Sequence, residues 1–287
     1  MNRIMLGLAV AMGFLGRPAI AQVDLSGTWA QRQHEDQPDR GAGPDFGDYT
    51  GLPINDAARF RAETWDSQKW SIPEHQCEPH PADYGPHGPA SLTIEREVDP
   101  YNLQLKAFHV IVAWMTPKRT IWLDGRERPS EDHPYTWQGF STGKWVGDYL
   151  HVETTHLKEG WIRRNGIPRS DKGKLTEYWI RHGEYLTLVN IIDDPVYLTE
   201  TYVRTWNWVL NLGYQTAPYT CYPRVEIDRP EGYVAHWLPG SNPMLAEFHE
   251  KYGLPQEIAF GGAQTLYPAF LPTLEKLARD RAQAQGR

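Results

Sequence analysis

The sequence predicts a mainly β protein, a closed antiparallel β-barrel with an N-terminal helix and C-terminal helices. Three observations predict it. From Ala90 to about Leu210 apolar residues recur with period two, in segments rich in β-branched and aromatic residues. Turn signals such as Asp124-Gly125, Gly147-Asp148 and His182-Gly183-Glu184 separate these segments, and no helical pattern intervenes. A sheet of seven or more strands removes its exposed edges by closing on itself.

The elements follow in chain order. Residues 1–21 pair Arg3 with an apolar run from Ile4 to Leu15 and end in Ala19-Ile20-Ala21. That is the pattern of a secretory signal peptide, cleaved before Gln22. The run is too short to span a bilayer comfortably, so no stable membrane insertion is expected. Residues 22–287 then form a single domain, secreted or periplasmic. Residues 22–30 read as a first strand and 31–51 as a polar loop. Asn55 is a good N-cap for a helix over roughly 56–67. Residues 71–90, with five prolines and three histidines, read as a long loop. Strands follow in SLTIEREV, LQLKAFHVIVAWM, KRTIWLDG, YLHVETTHLK, KLTEYWIRHG, YLTLVNIID and YLTETYVRTWNWVL. Two helical segments close the chain, one capped by Asn242 and stopped by Gly253, the other running from Phe270 to Gln285.

Charge excludes one class of partner. Removing Arg3 and Arg17 leaves 27 basic residues against 36 acidic ones, a net charge of −9. Such a chain repels nucleic acid, and the cluster Arg163, Arg164, Arg169, Lys172 and Lys174 is too short and mixed to reverse that. One of these arginines, Arg164 first, suits a small acidic ligand. Cys77 and Cys221 are the only cysteines. An even pair in an oxidising compartment reads as a disulfide, the rival being a catalytic thiol and a spare.

Leu25-Ser26-Gly27-Thr28-Trp29 resembles the G-x-W signature of lipocalin-type barrels. The resemblance implies that Trp29 closes one end of the barrel under an arginine from a late strand, for which Arg204 is the candidate. The segments DYTGLPINDAARFRAETWD, CEPHP, RTIWLDGRERP, GFSTGKWVGDYLHVETTHLKEGWIRRNGIPRSD, LTEYWIRHG and DPVYLTE together resemble a family of secreted, lipocalin-like bacterial proteins of poorly defined function. This implies a lipocalin-like barrel and no particular activity.

The candidate site residues come from strand faces and strand ends. Period two puts Leu175, Glu177, Trp179 and Arg181 on one face of their strand. Glu177 and Arg181 are either a polar set inside a cavity or a surface ion pair. His151 and His156 lie five apart in a strand and point to opposite faces, so the pair does not form an H-E-x-x-H zinc site. His156 is either a catalytic residue at the barrel mouth or a satisfied structural histidine. His75, His80 and His87 sit on the Pro-rich loop, which reads either as metal ligation without a known spacing or as a lid over the mouth. His133 precedes a Gly-rich stretch that lacks the ending of a phosphate loop, and no G-x-S-x-G elbow or dinucleotide fingerprint occurs. Asp194-Pro195 is a turn device that also sets Asp194 and Tyr197 at a barrel rim. The 12 tryptophans suit a pocket for a flat ligand or a bulky core, with Trp137 and Trp179 the candidate ligand contacts.

These residues predict a cofactor-independent lyase, isomerase or hydrolase acting on a small amphipathic, cyclic or aromatic molecule in the barrel. His133 or His156 would serve as acid or base, Arg181 as anion clamp and Tyr197 as donor, with Glu177 and Asp194 beside them. No metal and no cofactor is expected. The alternative is a carrier that binds such a molecule without turnover.

Overall fold

The strands are β1 (Gly27–Gln31), β2 (Leu92–Val98), β3 (Leu105–Val112), β4 (Lys118–Trp122), β5 (Phe140–Val146), β6 (Tyr149–Thr155), β7 (Gly160–Trp161), β8 (Pro168–Arg169), β9 (Lys174–His182), β10 (Tyr185–Asp193) and β11 (Tyr202–Leu210). The helices are α1 (Asp56–Glu63), α2 (Pro73–Gln76), α3 (Glu247–Tyr252), α4 (Gln256–Ala259) and α5 (Leu271–Gln285). This computed structural model describes residues 23–32, 43–87 and 91–285. The expected signal peptide lies outside the described residues.

Nine strands close a barrel in the order β1-β11-β10-β9-β6-β5-β4-β3-β2, and β7 pairs only with β8. The antiparallel expectation needs correction. Strand directions cannot alternate around an odd ring, so at least one pair must be parallel. That pair is β4 with β5, in the register Ile121↔Ser141 and Trp122↔Thr142. The connection over residues 123–139 runs back along the barrel so that β5 starts at the same end as β4. The barrel is therefore mixed. The expected helix lies between β1 and β2, and among the described residues no helix precedes β1. It ends earlier than predicted, at Glu63, and a 3-10 turn over Ser67–Ser71 follows. Asn55 caps it, its side chain accepting from the Ala58 N–H at 3.0 Å. Asn242 and Gly253 take the expected capping positions, Asn242 accepting from Met244 N–H at 3.0 Å and Gly253 adopting φ 59°.

Two apolar cores stack along the barrel axis. The lower one fills the interior with Trp29, Trp179, Trp206 and Trp208 and the buried aliphatic residues of β2, β3, β4, β6 and β10. The upper one packs Tyr49, Leu52, Ala58 and Ala62 onto Leu175 and Ile192 at the barrel rim. Ala58 and Ala62, four apart, are the buried stripe of α1. Cys77 and Cys221 form a disulfide that joins the end of α2 to the segment after β11. Among the described residues no helix is long and apolar enough to cross a membrane.

Candidate functional site

A polar layer separates the two cores. Arg119 on β4 and Glu177 on β9 pair two-pronged, Nη1 donating to Oε1 at 3.0 Å and Nη2 to Oε2 at 2.5 Å. Arg119 also donates to Ser141 Oγ at 2.9 Å and Thr154 Oγ1 at 2.6 Å. All four side chains are buried. Glu177 thus sits inside the barrel, but its partner is Arg119 and not Arg181.

Arg181 lies at the opposite end. Its guanidinium stands 5.2 Å from the Trp29 ring and donates to the carbonyls of Gly183 and Asp24. The arginine over Trp29 is therefore Arg181, not Arg204. Arg204 reaches the mouth instead, donating to Ile162 O and Asp83 O at 2.9 Å each. The inward positions of β9 and β11, which run in the same direction because both are antiparallel to β10, explain the exchange: Arg181 follows Trp179 toward the closed end, whereas Arg204 precedes Trp206 and so lies nearer the mouth.

The other predicted residues are spread over separate places. His156 is buried, with φ at 58°. Its Nε2 donates to Ser130 O at 2.9 Å and its Nδ1 lies 2.8 Å from the Thr155 hydroxyl. A carbonyl only accepts, so Nε2 carries a proton; in the neutral ring Nδ1 then accepts from Thr155. His133 is exposed, its ring 5.7 Å from that of His156. Asp194 accepts from the Ser170 N–H at 2.6 Å, the Ser170 hydroxyl at 2.7 Å and the Val196 N–H at 2.9 Å. Tyr197 packs against the upper core, and burial raises its hydroxyl's pKa, with Glu159 adding and Arg61 opposing. Trp179 belongs to the lower core and Trp137 stacks near Trp161, ring centres 6.0 Å apart. Of the predicted ligand contacts, Arg164 alone lines the cleft described next.

That cleft lies at the barrel mouth and has a volume of about 320 Å³, within the range of small-molecule sites. Aromatic side chains wall it: Trp70, His80, Trp114, Tyr219 and Tyr222. Arg164, Glu78 and Glu226 supply its charges. The loop that carries His80 is pinned from below. Asp83 pairs with Arg169 at 2.9 Å, both fully buried, and the Ala82 N–H donates to Trp137 O at 3.0 Å. The far wall comes from the segment after β11, held by the disulfide and by Gln76, which exchanges two hydrogen bonds with the Arg224 backbone at 2.8 and 2.7 Å. Trp161 is the hub beneath, its ring within 6.2 Å of those of Trp70, His80, Tyr84 and Trp137. Next to it Gly166, at φ +96°, leaves the space that the Trp65 side chain fills; a Cβ there would come within 2.4 Å of it.

The Pro-rich loop is thus a cover on the mouth, with His80 facing the cleft and His87 against Trp206. Among the described residues no three His, Cys, Asp or Glu side chains group as a metal site. Sequence reasoning singled out the loop but not Trp70, Trp114, Tyr219 or Tyr222 as one wall. Only the Cys77–Cys221 pairing hinted that positions so distant meet. No family model, curated protein or solved structure matches the chain.

His80 has a distinctive protonation behaviour. Burial pushes its pKa down to about 3, with the charges of Arg164 and His87 adding to the effect. The unfolded chain takes up this proton near 6.5 and the folded chain only near 3. Stability is therefore undiminished by this group above pH 6.5 and falls as the pH drops toward 3. The parent chain should lose Tm across that window more steeply than His80→Gln. Equal slopes for both in thermal melts from pH 7 to pH 4 would show that the imidazole is solvated.

Proposed function

We propose that the protein is an exported, lipocalin-like barrel that binds a small amphipathic aromatic carboxylate in its mouth cleft. The observation that carries this is Arg164. It is the one arginine or lysine of a cleft walled mainly by rings; of the two carboxylates there Glu78 is engaged by Lys69 and His75, and among the described residues neither Glu78 nor Glu226 lies within 4 Å of Arg164. A flat apolar ligand stacks on Trp70, Trp114 and Tyr219, and a carboxylate meets the guanidinium two-pronged. The lower barrel is filled by four tryptophans, which supports a site at the mouth and not in the interior. Trp29 beneath Arg181, with its Nε1 donating to Leu25 O at 3.1 Å, supports the lipocalin resemblance. The disulfide supports export to an oxidising compartment.

A second reading, cofactor-independent acid–base turnover of the same ligand, has support from His80. It lines the cleft, and its Nδ1 is buried with no hydrogen-bond partner. One experiment addresses both. Cinnamate, its amide and indole-3-acetate are titrated into the disulfide-bonded chain, with tryptophan fluorescence and mass spectrometry as readouts. The carboxylates should bind more tightly than the amide, and Arg164→Met should weaken them about ten-fold or more. Unchanged affinity in Arg164→Met would overturn the assignment. A product mass that disappears in His80→Gln would establish the enzymatic reading.

A further inference from the structure

A larger cleft, about 620 Å³, opens on the other side of the segment after β11. Val225 and Ile227 line it, whereas Glu226 between them lines the mouth cleft. The two clefts therefore share one wall and face away from each other. Trp65, Lys69 and Ser71 form one flank of the larger cleft, Arg229 and Tyr233 the other.

Its polar groups are short of acceptors. Arg229 Nη2 donates to Ser71 Oγ at 2.5 Å, and its guanidinium lies 4.6 Å from the Tyr233 ring centre. Arg229 Nε and Trp65 Nε1 are both buried without an acceptor. Lys69 shares Glu78 at 3.7 Å and Arg61 shares Glu159 at 3.4 Å, but among the described residues Arg229 has no carboxylate within 4 Å. Of the acidic residues on the lining, Asp66 is engaged by the Gln68 N–H at 2.9 Å and Glu74 is exposed. Indole and guanidinium nitrogens only donate, so whatever satisfies them must bring acceptors. The unpaired cation selects an anion. Beside these donors Val225, Ile227 and Val234 present an apolar shelf, each more than half exposed.

We propose that this cleft is a second binding site, for a single-chain amphipathic carboxylate. The carboxylate oxygens meet Arg229 and the Trp65 indole N–H, and the alkyl chain lies along Val225, Ile227 and Val234. The site shares no donor with the mouth cleft, and its test stands apart from that of the proposed function. Decanoate, methyl decanoate and acetate are titrated calorimetrically into the full disulfide-bonded chain, with and without saturating cinnamate. Decanoate should saturate one site, the ester and acetate should bind at least about ten-fold more weakly, and cinnamate should not compete. Arg229→Met should cost about ten-fold or more and Trp65→Phe several-fold. Arg229→Lys, which keeps the charge and removes the planar fork, should fall between parent and Arg229→Met. The site is overturned by any of three results: no saturable decanoate binding, equal affinity for acid and ester, or displacement of decanoate by cinnamate. Arg229→Met that melts with the parent and binds decanoate equally well overturns it too.

Discussion

Glu177→Gln should destabilise the barrel by about 3–5 kcal/mol, the penalty for leaving a buried charge without its partner. Glu177 is fully buried and Arg119 is 4% exposed, so water does not replace the lost anion. The substitution keeps the shape and one carbonyl acceptor but removes the charge that offsets the guanidinium. For a chain of this size that is a fall of roughly 6–20 °C in Tm. Arg119→Met should cost a similar amount by stranding the carboxylate. The double variant Arg119→Met with Glu177→Leu should recover most of the loss. Ser141 and Thr154 keep each other as hydroxyl partners at 2.9 Å, and the remaining space is apolar. Urea denaturation of Arg119→Met, Glu177→Leu and their combination forms a closed cycle. A Glu177→Gln variant that loses under about 1 kcal/mol would mean that solvent reaches this layer.

The polar layer also explains what the sequence made legible and what it hid. Strands β9, β10 and β11 were readable because their inward positions are large and apolar: Leu175 and Trp179, then Leu186, Leu188 and Ile192, then Trp206 and Trp208. Strand β5 was not, and it was missing from the expected set. Its inward residues begin with Ser141 and Gly143, small because the Arg119 guanidinium and the side chains of Ile121 and Leu150 occupy the space beside them, and only Trp145 at its far end is large. Period-two reading placed Glu177 correctly on the Trp179 face but could not supply its partner. Arg119 lies three strands away around the barrel, a neighbour created by closure and by the parallel β4–β5 pair. The same limit applies to the mouth cleft. His80, Trp114, Arg164 and Tyr219 come from four separate connections, and no local periodicity links them. The segment from residue 211 to 242 contains no helix or strand, only the single bridge Trp65↔His236, so its role as a cleft wall left no pattern to read.

That segment makes the disulfide the second large effect. Replacing Cys77 and Cys221 by serine should detach the wall between the two clefts while leaving the barrel closed. Closing a loop with a sequence separation of 144 residues gives an upper bound of about 5 kcal/mol on chain-entropy grounds. The native wall has little else to hold it. Most of its residues are exposed, and its other ties include the Gln76–Arg224 exchange, Thr93–Thr216 at 2.7 Å, Arg229–Ser71, Tyr233–Gln68 at 3.4 Å, the Trp65↔His236 bridge, and Trp237 N–H to Thr64 O at 3.0 Å. Each such hydrogen bond contributes only about 0.5–1.5 kcal/mol net. The barrel strands bond to one another around the ring and bury the tryptophan core, so their stability does not pass through the bridge. Amide hydrogen exchange should therefore show the region 211–241 losing protection on reduction or in the double serine variant, while β9 to β11 keep theirs. Cinnamate and decanoate affinities should fall together, because one wall serves both clefts. Unchanged protection of 211–241 after reduction would show that packing against the 64–80 region holds the wall by itself. Loss of protection throughout β9 to β11 would show that wall and barrel open as a single cooperative unit.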